Sequence, residues 1–129
     1  MNKIFVFGSN LEGRHGKGAA LYAKQYHGAK SGIGYGHVGN SFAIPTKSTP
    51  YKSLSLSNIN KYVHEFIEYA KATPELIYNI TRIGCGLAGY KDIDIAPMFK
   101  DAPPNCLLPH EWVQINGRNY QTPNKSQAL

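Results

Sequence analysis

Apolar positions change their spacing several times along the chain, and each change marks an element. KIFVFG, Lys3 to Gly8, is a run of β-branched and aromatic residues closed by glycine, the pattern of a buried strand. GAALYAKQYHGA then predicts a helix from about Gly18, with Gly28 as its C-terminal cap. NSFAIP predicts a second strand, ended by Pro45. Leu56, Ile59, Val63, Phe66, Ile67 and Ala70 recur at helical spacing, with Ser55 placed to cap the start and Pro74 just beyond the end. LIYNITRI reads as a third buried strand, DIAPMF as a brief helix and NCLLP as a fourth strand. Helices alternating with buried strands predict an α/β fold with a mostly parallel central sheet over residues 1–112. Residues 113–129, VQINGRNYQTPNKSQAL, are polar and weakly patterned, a C-terminal tail or an edge strand.

Composition narrows the class. A chain of 129 residues with 42% hydrophobic side chains has enough apolar material for one core and excludes disordered and fibrous classes. No apolar run approaches the roughly 18 residues of a membrane span, so no membrane partner and a cytoplasmic location are expected. Cys85 and Cys106 form neither a disulfide framework nor a CxxC zinc site, so two free thiols are expected, with no metal and no cofactor. The net charge of +6 is uneven: residues 1–60 hold seven Lys or Arg against Glu12 alone, whereas the remainder balances seven against seven. An anionic partner should therefore meet the first half. The basic residues are scattered and lack aromatic interleaving, which ranks a nucleic-acid-binding accessory role below a small anionic ligand.

Candidate chemistry concentrates at two strand-to-helix junctions. FGSNLEGRHGKGAALYA carries Gly8, Gly13, Gly16 and Gly18, and IGCGLAGYKDIDIAPMF carries Gly84, Gly86 and Gly89. In a parallel sheet both loops lie at carboxyl ends of strands, where ligands bind. Backbone N–H groups at a helix start favour phosphate through hydrogen bonds and the helix dipole, and two such loops suit a pyrophosphate. Neither spacing matches GxGxxG or the Walker A pattern. The alternative is that the glycines only make tight turns.

IGCGLAGY resembles the substrate-loop motif of macrodomains, especially the terminal ADP-ribose glutamate hydrolase branch, whose loop reads IGCGLD. FGSNLEGRHGKGAA is similar to the macrodomain's first loop, and AIPTK, Ala43 to Lys47, to the strand of that branch that ends in a catalytic lysine. The pattern, spanning about Ile4 to Pro109, is closer still to small phage-associated and bacterial proteins sharing FGSN, HGxGAA, IPTK and IGCGLAGY. The resemblance implies a compact three-layer fold with helices on both sheet faces. It also implies a cleft for an ADP-ribose-derived nucleotide. Gly8, Ser9, Asn10, His15, Gly16 and Gly18 of the first loop, Lys47, and Gly84, Cys85, Gly86, Leu87, Ala88, Gly89 and Tyr90 of the second are the ligand-binding residues it implies. The lysine-dependent hydrolases carry an aspartate where this chain has Ala88. That departure favours binding without turnover, which in a phage setting would sequester an immune signal made from NAD. Lys47 keeps two enzymatic alternatives open, an ADP-ribosyl hydrolase using its amine on an opened ribose and an ADP-ribose 1''-phosphate phosphatase. The chain is short for the family, which implies an adenine-side sheet that is reduced or supplied by a second subunit of a homo-oligomer.

Individual residues carry two readings each. Asp92 and Asp94 either replace the missing carboxylate or complement a helix dipole. His15 contacts phosphate or moves a proton, unless it is a solvated loop residue beside Arg14 and Lys17. Asn10 reaches a ribose hydroxyl or holds an Asx-type turn. Cys85 is a nucleophile or, better, a small thiol packed under its loop. Tyr90 covers a ribose or base, or belongs to the core rim, and His64 faces solvent.

Overall fold

Residues 3–117 are described in the computed structural model of the chain. The elements run β1 (Lys3–Asn10), α1 (Gly18–Tyr26), β2 (Gly36–Val38), β3 (Ser41–Thr49), β4 (Lys52–Ser53), α2 (Leu56–Ala72), β5 (Ile77–Ile80), α3 (Asp92–Ile95), β6 (Cys106–Leu107) and α4 (His110–Ile115), with a 3-10 turn at Ala96–Phe99. The fold is mixed α/β. Its sheet has the order β2-β3-β1-β5-β6, with β4 also on β3. The β1–β3, β1–β5 and β5–β6 pairs are parallel, and only β2 and β4 run antiparallel to β3.

Alternation along the strands divides the core. Ile4, Val6, Phe42, Ile44, Tyr78 and Ile80 face the larger cluster, with Ile59, Val63, Phe66, Ile67 and Ala70 of α2 and Trp112 of α4. Phe7 and Ala43 point the other way, against Ala20 and Ala23 of α1. Helices therefore cover both faces, thinly on the α1 side because α1 presents alanines. The α2 cap is the one its sequence predicts, with Ser55 Oγ accepting from the Asn58 N–H at 3.2 Å. Gly28 follows α1 with φ +81°, a left-handed conformation open to glycine, while the His27 and Ala29 N–H groups both donate to the Ala23 carbonyl.

Several boundaries differ from the sequence expectation. β1 continues past Gly8 to Asn10, paired with Ile44 to Lys47 of β3, and Gly8 sits where Thr46, Ile83 and Gly84 crowd the strand: a Cβ there would lie 3.3 Å from Thr46 Oγ1. Pro45 does not end β3, which runs on to Thr49. On the outer edge of β3, β2 pairs with Ser41–Ala43 and β4 with Lys47 onward, so Pro45 falls in a gap where no ladder bond is demanded of it. β2 and β4 were not expected, being too short and polar to show a period of two. Val113–Ile115 complete α4, anchored by buried Trp112, so these three residues are helical. Residues 118–129 of the expected tail lie outside the described residues. Among the described residues no helix is long and apolar enough to cross a membrane.

Candidate functional site

The carboxyl ends of β1, β3 and β5 meet at one cleft of about 750 Å³. The chain leaves β1 for α1 on one face of the sheet and leaves β5 for α3 on the other, which opens the space between the two connections. Gly8, Ser9 and Asn10 form one part of its wall, Thr46 and Lys47 another, and Thr81 to Gly84 a third. A register slip between Ser9 and Asn10 brings Asn10 opposite Lys47.

Two rows of backbone donors border this space. α1 has no side-chain cap and no acidic residue in its first turn, and the N–H groups of Gly18, Ala19 and Ala20 have no acceptor among the described residues. Across from them, the Gly86, Leu87 and Ala88 N–H groups also have none. All six residues line the cleft. The rows are close neighbours, since a Cβ on Gly18 would stand 3.7 Å from Leu87 Cδ1. Arg14, Lys17, Lys47 and Arg82 line the same space, and no carboxylate does. Arg14 also makes an exposed ion pair with Glu12 at 3.3 Å. The arrangement suits an anion with several acceptor oxygens.

The first loop is held from behind. Asn10 spends its amide on the loop itself, Nδ2 donating to the Arg14 carbonyl at 2.9 Å and Oδ1 accepting from the Arg14 N–H at 3.0 Å. Ser9 Oγ donates to the Gly34 carbonyl. His15 does not line the cleft; it is 3% exposed, stands edge-on to Phe7, and places Nε2 3.2 Å from the Ile33 carbonyl. Its Nδ1 is buried without a hydrogen-bond partner. Burial lowers the His15 pKa, with the Ile33 and Lys30 carbonyls opposing and Lys24 adding to the shift.

The second loop is fixed at its ends and open at its middle. Gly84 and Gly89 have φ of +77° and +84°, and the Tyr90 N–H closes the loop on the Gly84 carbonyl at 2.8 Å. Tyr90 is outside the cleft lining, its ring against the main core and its hydroxyl donating to the Leu54 carbonyl. Ser53 Oγ donates to the Ala88 carbonyl at 2.7 Å and ties β4 to the loop.

Beneath this loop Asp92 organises its neighbours. Arg82 Nε and Nη2 donate to its two oxygens at 2.9 and 2.7 Å, and Trp112 Nε1 donates to Oδ1 at 2.7 Å. These bonds lower the Asp92 pKa, so the carboxylate is committed to holding Arg82 at the cleft. Asp94 accepts from the Lys91 N–H at 3.0 Å at the start of α3. Neither aspartate lines the cleft. Burial pushes the Cys85 thiol up to about 12, and the Asp92 charge adds to the shift. Cys85 is half-buried, packed against the main core. Neither cysteine is in a disulfide.

No protein-family model, curated protein or solved structure matches the chain. The cleft brings together ten of the residues singled out in the sequence, Gly8, Ser9, Asn10, Gly16, Gly18, Lys47, Gly84, Gly86, Leu87 and Ala88, and leaves out His15, Cys85, Gly89 and Tyr90. His64 is exposed on α2. Arg82 and Tyr51 line the cleft without having been singled out. Arg82 stands in LIYNITRI directly before the second glycine loop and could have been found as a cation beside the glycines. Tyr51 has no local signal. Among the described residues, no group of three or more His, Cys, Asp or Glu side chains could hold a metal ion.

Proposed function

We propose that the cleft binds an ADP-ribose-type nucleotide and releases it unchanged. The observation that carries this reading is the pair of unpaired N–H rows, Gly18–Ala20 and Gly86–Ala88, in a cleft lined by four cations and no carboxylate. A phosphate between the rows would accept from both and meet the positive end of the α1 dipole. About 750 Å³ accommodates a nucleotide. The resemblance of FGSN, IPTK and IGCGLAGY to macrodomain motifs supports the ADP-ribose class. Capture without turnover follows from the lining, because Lys47 has no carboxylate beside it in the cleft to move protons. In a phage setting such a trap withdraws an NAD-derived signal from solution.

The position of Lys47 on the cleft wall favours a second reading, an ADP-ribosyl hydrolase with the lysine amine as nucleophile. One experiment separates the two. ADP-ribose should raise the melting temperature of the parent by mass action, and the ligand should be recovered intact by chromatography. Gly86→Val should keep the fold, since a Cβ there meets nothing within 4 Å, and should abolish the shift by filling the cleft. Lys47→Ala should weaken binding by roughly 1.5–3 kcal/mol, one charge-assisted hydrogen bond. A borohydride-trapped adduct on Lys47 would establish the hydrolase instead. Binding by Gly86→Val equal to the parent's would place the site elsewhere.

A further inference from the structure

Tyr51 stands apart from the other exposed aromatic residues. Tyr22 packs on Tyr26, Phe5 and His27, and neither tyrosine lines the cleft. Tyr51 lines the cleft, is 90% exposed, and its ring has neither an aromatic nor a hydrogen-bonding partner among the described residues. Its backbone is nevertheless fixed. The Tyr51 N–H donates to Thr49 Oγ1 at 3.1 Å, Ser48 Oγ donates to the Lys52 carbonyl at 3.3 Å, and the Leu54 N–H closes the hairpin on the Thr46 carbonyl at 2.9 Å. Pro50 stiffens the turn, and Ser53 binds the hairpin to Ala88. A large ring is thus carried on a fixed backbone in the same cleft lining as the Gly86–Ala88 donors and Lys47, with its face uncovered.

We infer that Tyr51 is a stacking platform for a heteroaromatic ring, and that the ligand carries such a ring about one sugar away from the phosphate held between the two N–H rows. The inference rests on the proposed phosphate-binding role of the cleft and adds to it which end of the cleft takes the ring. A π-face stacked on a base excludes water from both and tolerates any base. Two ends of an ADP-ribose-type molecule offer this chemistry: the adenine, or a ring attached to the second ribose as in NAD.

Isothermal titration of the parent, Tyr51→Ala and Tyr51→Trp with ADP-ribose, NAD and ribose 5-phosphate tests the placement. Tyr51→Ala should weaken a ring-bearing ligand by roughly ten- to a hundred-fold and leave ribose 5-phosphate, which has no ring, within about two-fold. Tyr51→Trp should restore the affinity, and both variants should melt with the parent because the side chain is exposed. Equal loss for ADP-ribose and NAD assigns the adenine to Tyr51, and loss for NAD alone assigns the ring on the second ribose. If the parent binds and Tyr51→Ala binds all three probes equally well, or loses ribose 5-phosphate as much as the others, stacking is wrong while the phosphate site stands. A parent that binds none of the three overturns both.

Discussion

Between β1 and α1 Gly13 presses backbone against the backbone of the Gly32–Gly34 turn, whereas between β5 and α3 Gly86 faces open space. A Cβ on Gly13 would lie 2.3 Å from the Gly32 carbonyl carbon, and one on Gly34 would lie 2.1 Å from the Asn10 carbonyl oxygen. The Gly32 N–H donates to the Gly13 carbonyl at 2.9 Å across this contact. A Cβ on Gly86 would meet no atom within 4 Å. The first loop is a packed junction whose outward end, at Gly18, offers donors; the second offers donors at its own middle. Glycine-rich composition therefore covers two physical needs, close approach and an uncovered backbone.

Alanine substitution separates them. Gly13→Ala adds a methyl group against backbone at a φ of +70°, so the loop must shift as well as strain. We expect a loss of roughly 3 kcal/mol, a melting temperature lower by about 10 °C. Gly86→Ala should change stability by no more than about 0.5 kcal/mol. Thermal or urea unfolding of the two variants decides the matter, and equal destabilisation would remove the distinction between the loops.

A smaller effect distinguishes the loops by pH. His15 is buried in the first loop with its pKa lowered, mainly by desolvation. Its folded pKa lies below the unfolded value of about 6.5, so its contribution to stability is complete above that pH. It is lost as pH falls from there through the folded pKa, because the unfolded chain takes up the proton first. His27, also lowered by burial, acts with the same sign outside the loop. His15→Gln should therefore lose less stability than the parent between pH 7.5 and 5, while leaving the His27 contribution in place. Parallel slopes for the two proteins would show that His15 is not buried neutral in solution.

Much of the architecture could be read because it depends on local pattern. The apolar period from Leu56 to Ala70 and the Ser55 cap specify α2 without reference to anything distant. Gly28 marks the end of α1 for the same reason. The cleft was legible in part, since two glycine loops after parallel strands must share one edge of the sheet. What escaped depends on contacts between distant residues. Whether Pro45 ends a strand turns on where β2 and β4 lie along its outer edge. Whether His15 meets ligand or core turns on the Lys30–Gly34 segment packed behind it, eighteen residues away at Ile33. Asn10 and Asp92 look like free polar groups in the sequence, but their partners are Arg14 for one and Arg82 with Trp112 for the other. Tyr51 reaches the cleft only because a hairpin too short to recognise carries it there.

The least effect is expected at Cys85, the residue between the two loop glycines that most resembles a nucleophile in sequence. A thiol attacks as thiolate, and a nearby cation or a helix N-terminus is what would lower its pKa. Here burial and the Asp92 carboxylate act together in the opposite direction, and the Arg82 cation opposes them only weakly because it is already paired with that carboxylate. With the pKa near 12 the group stays protonated throughout the neutral range. Iodoacetamide at pH 8 should alkylate Cys85 on the order of a hundred-fold more slowly than free cysteine, the low thiolate fraction outweighing its higher intrinsic reactivity. Cys85→Ser should bind ADP-ribose within about two-fold of the parent, because the side chain lies outside the cleft lining and a hydroxyl can still donate to Asp92. Rapid alkylation that blocks ligand binding would show the thiol exposed to the cleft, and the second loop would then be a reactive site instead of a cradle of backbone donors.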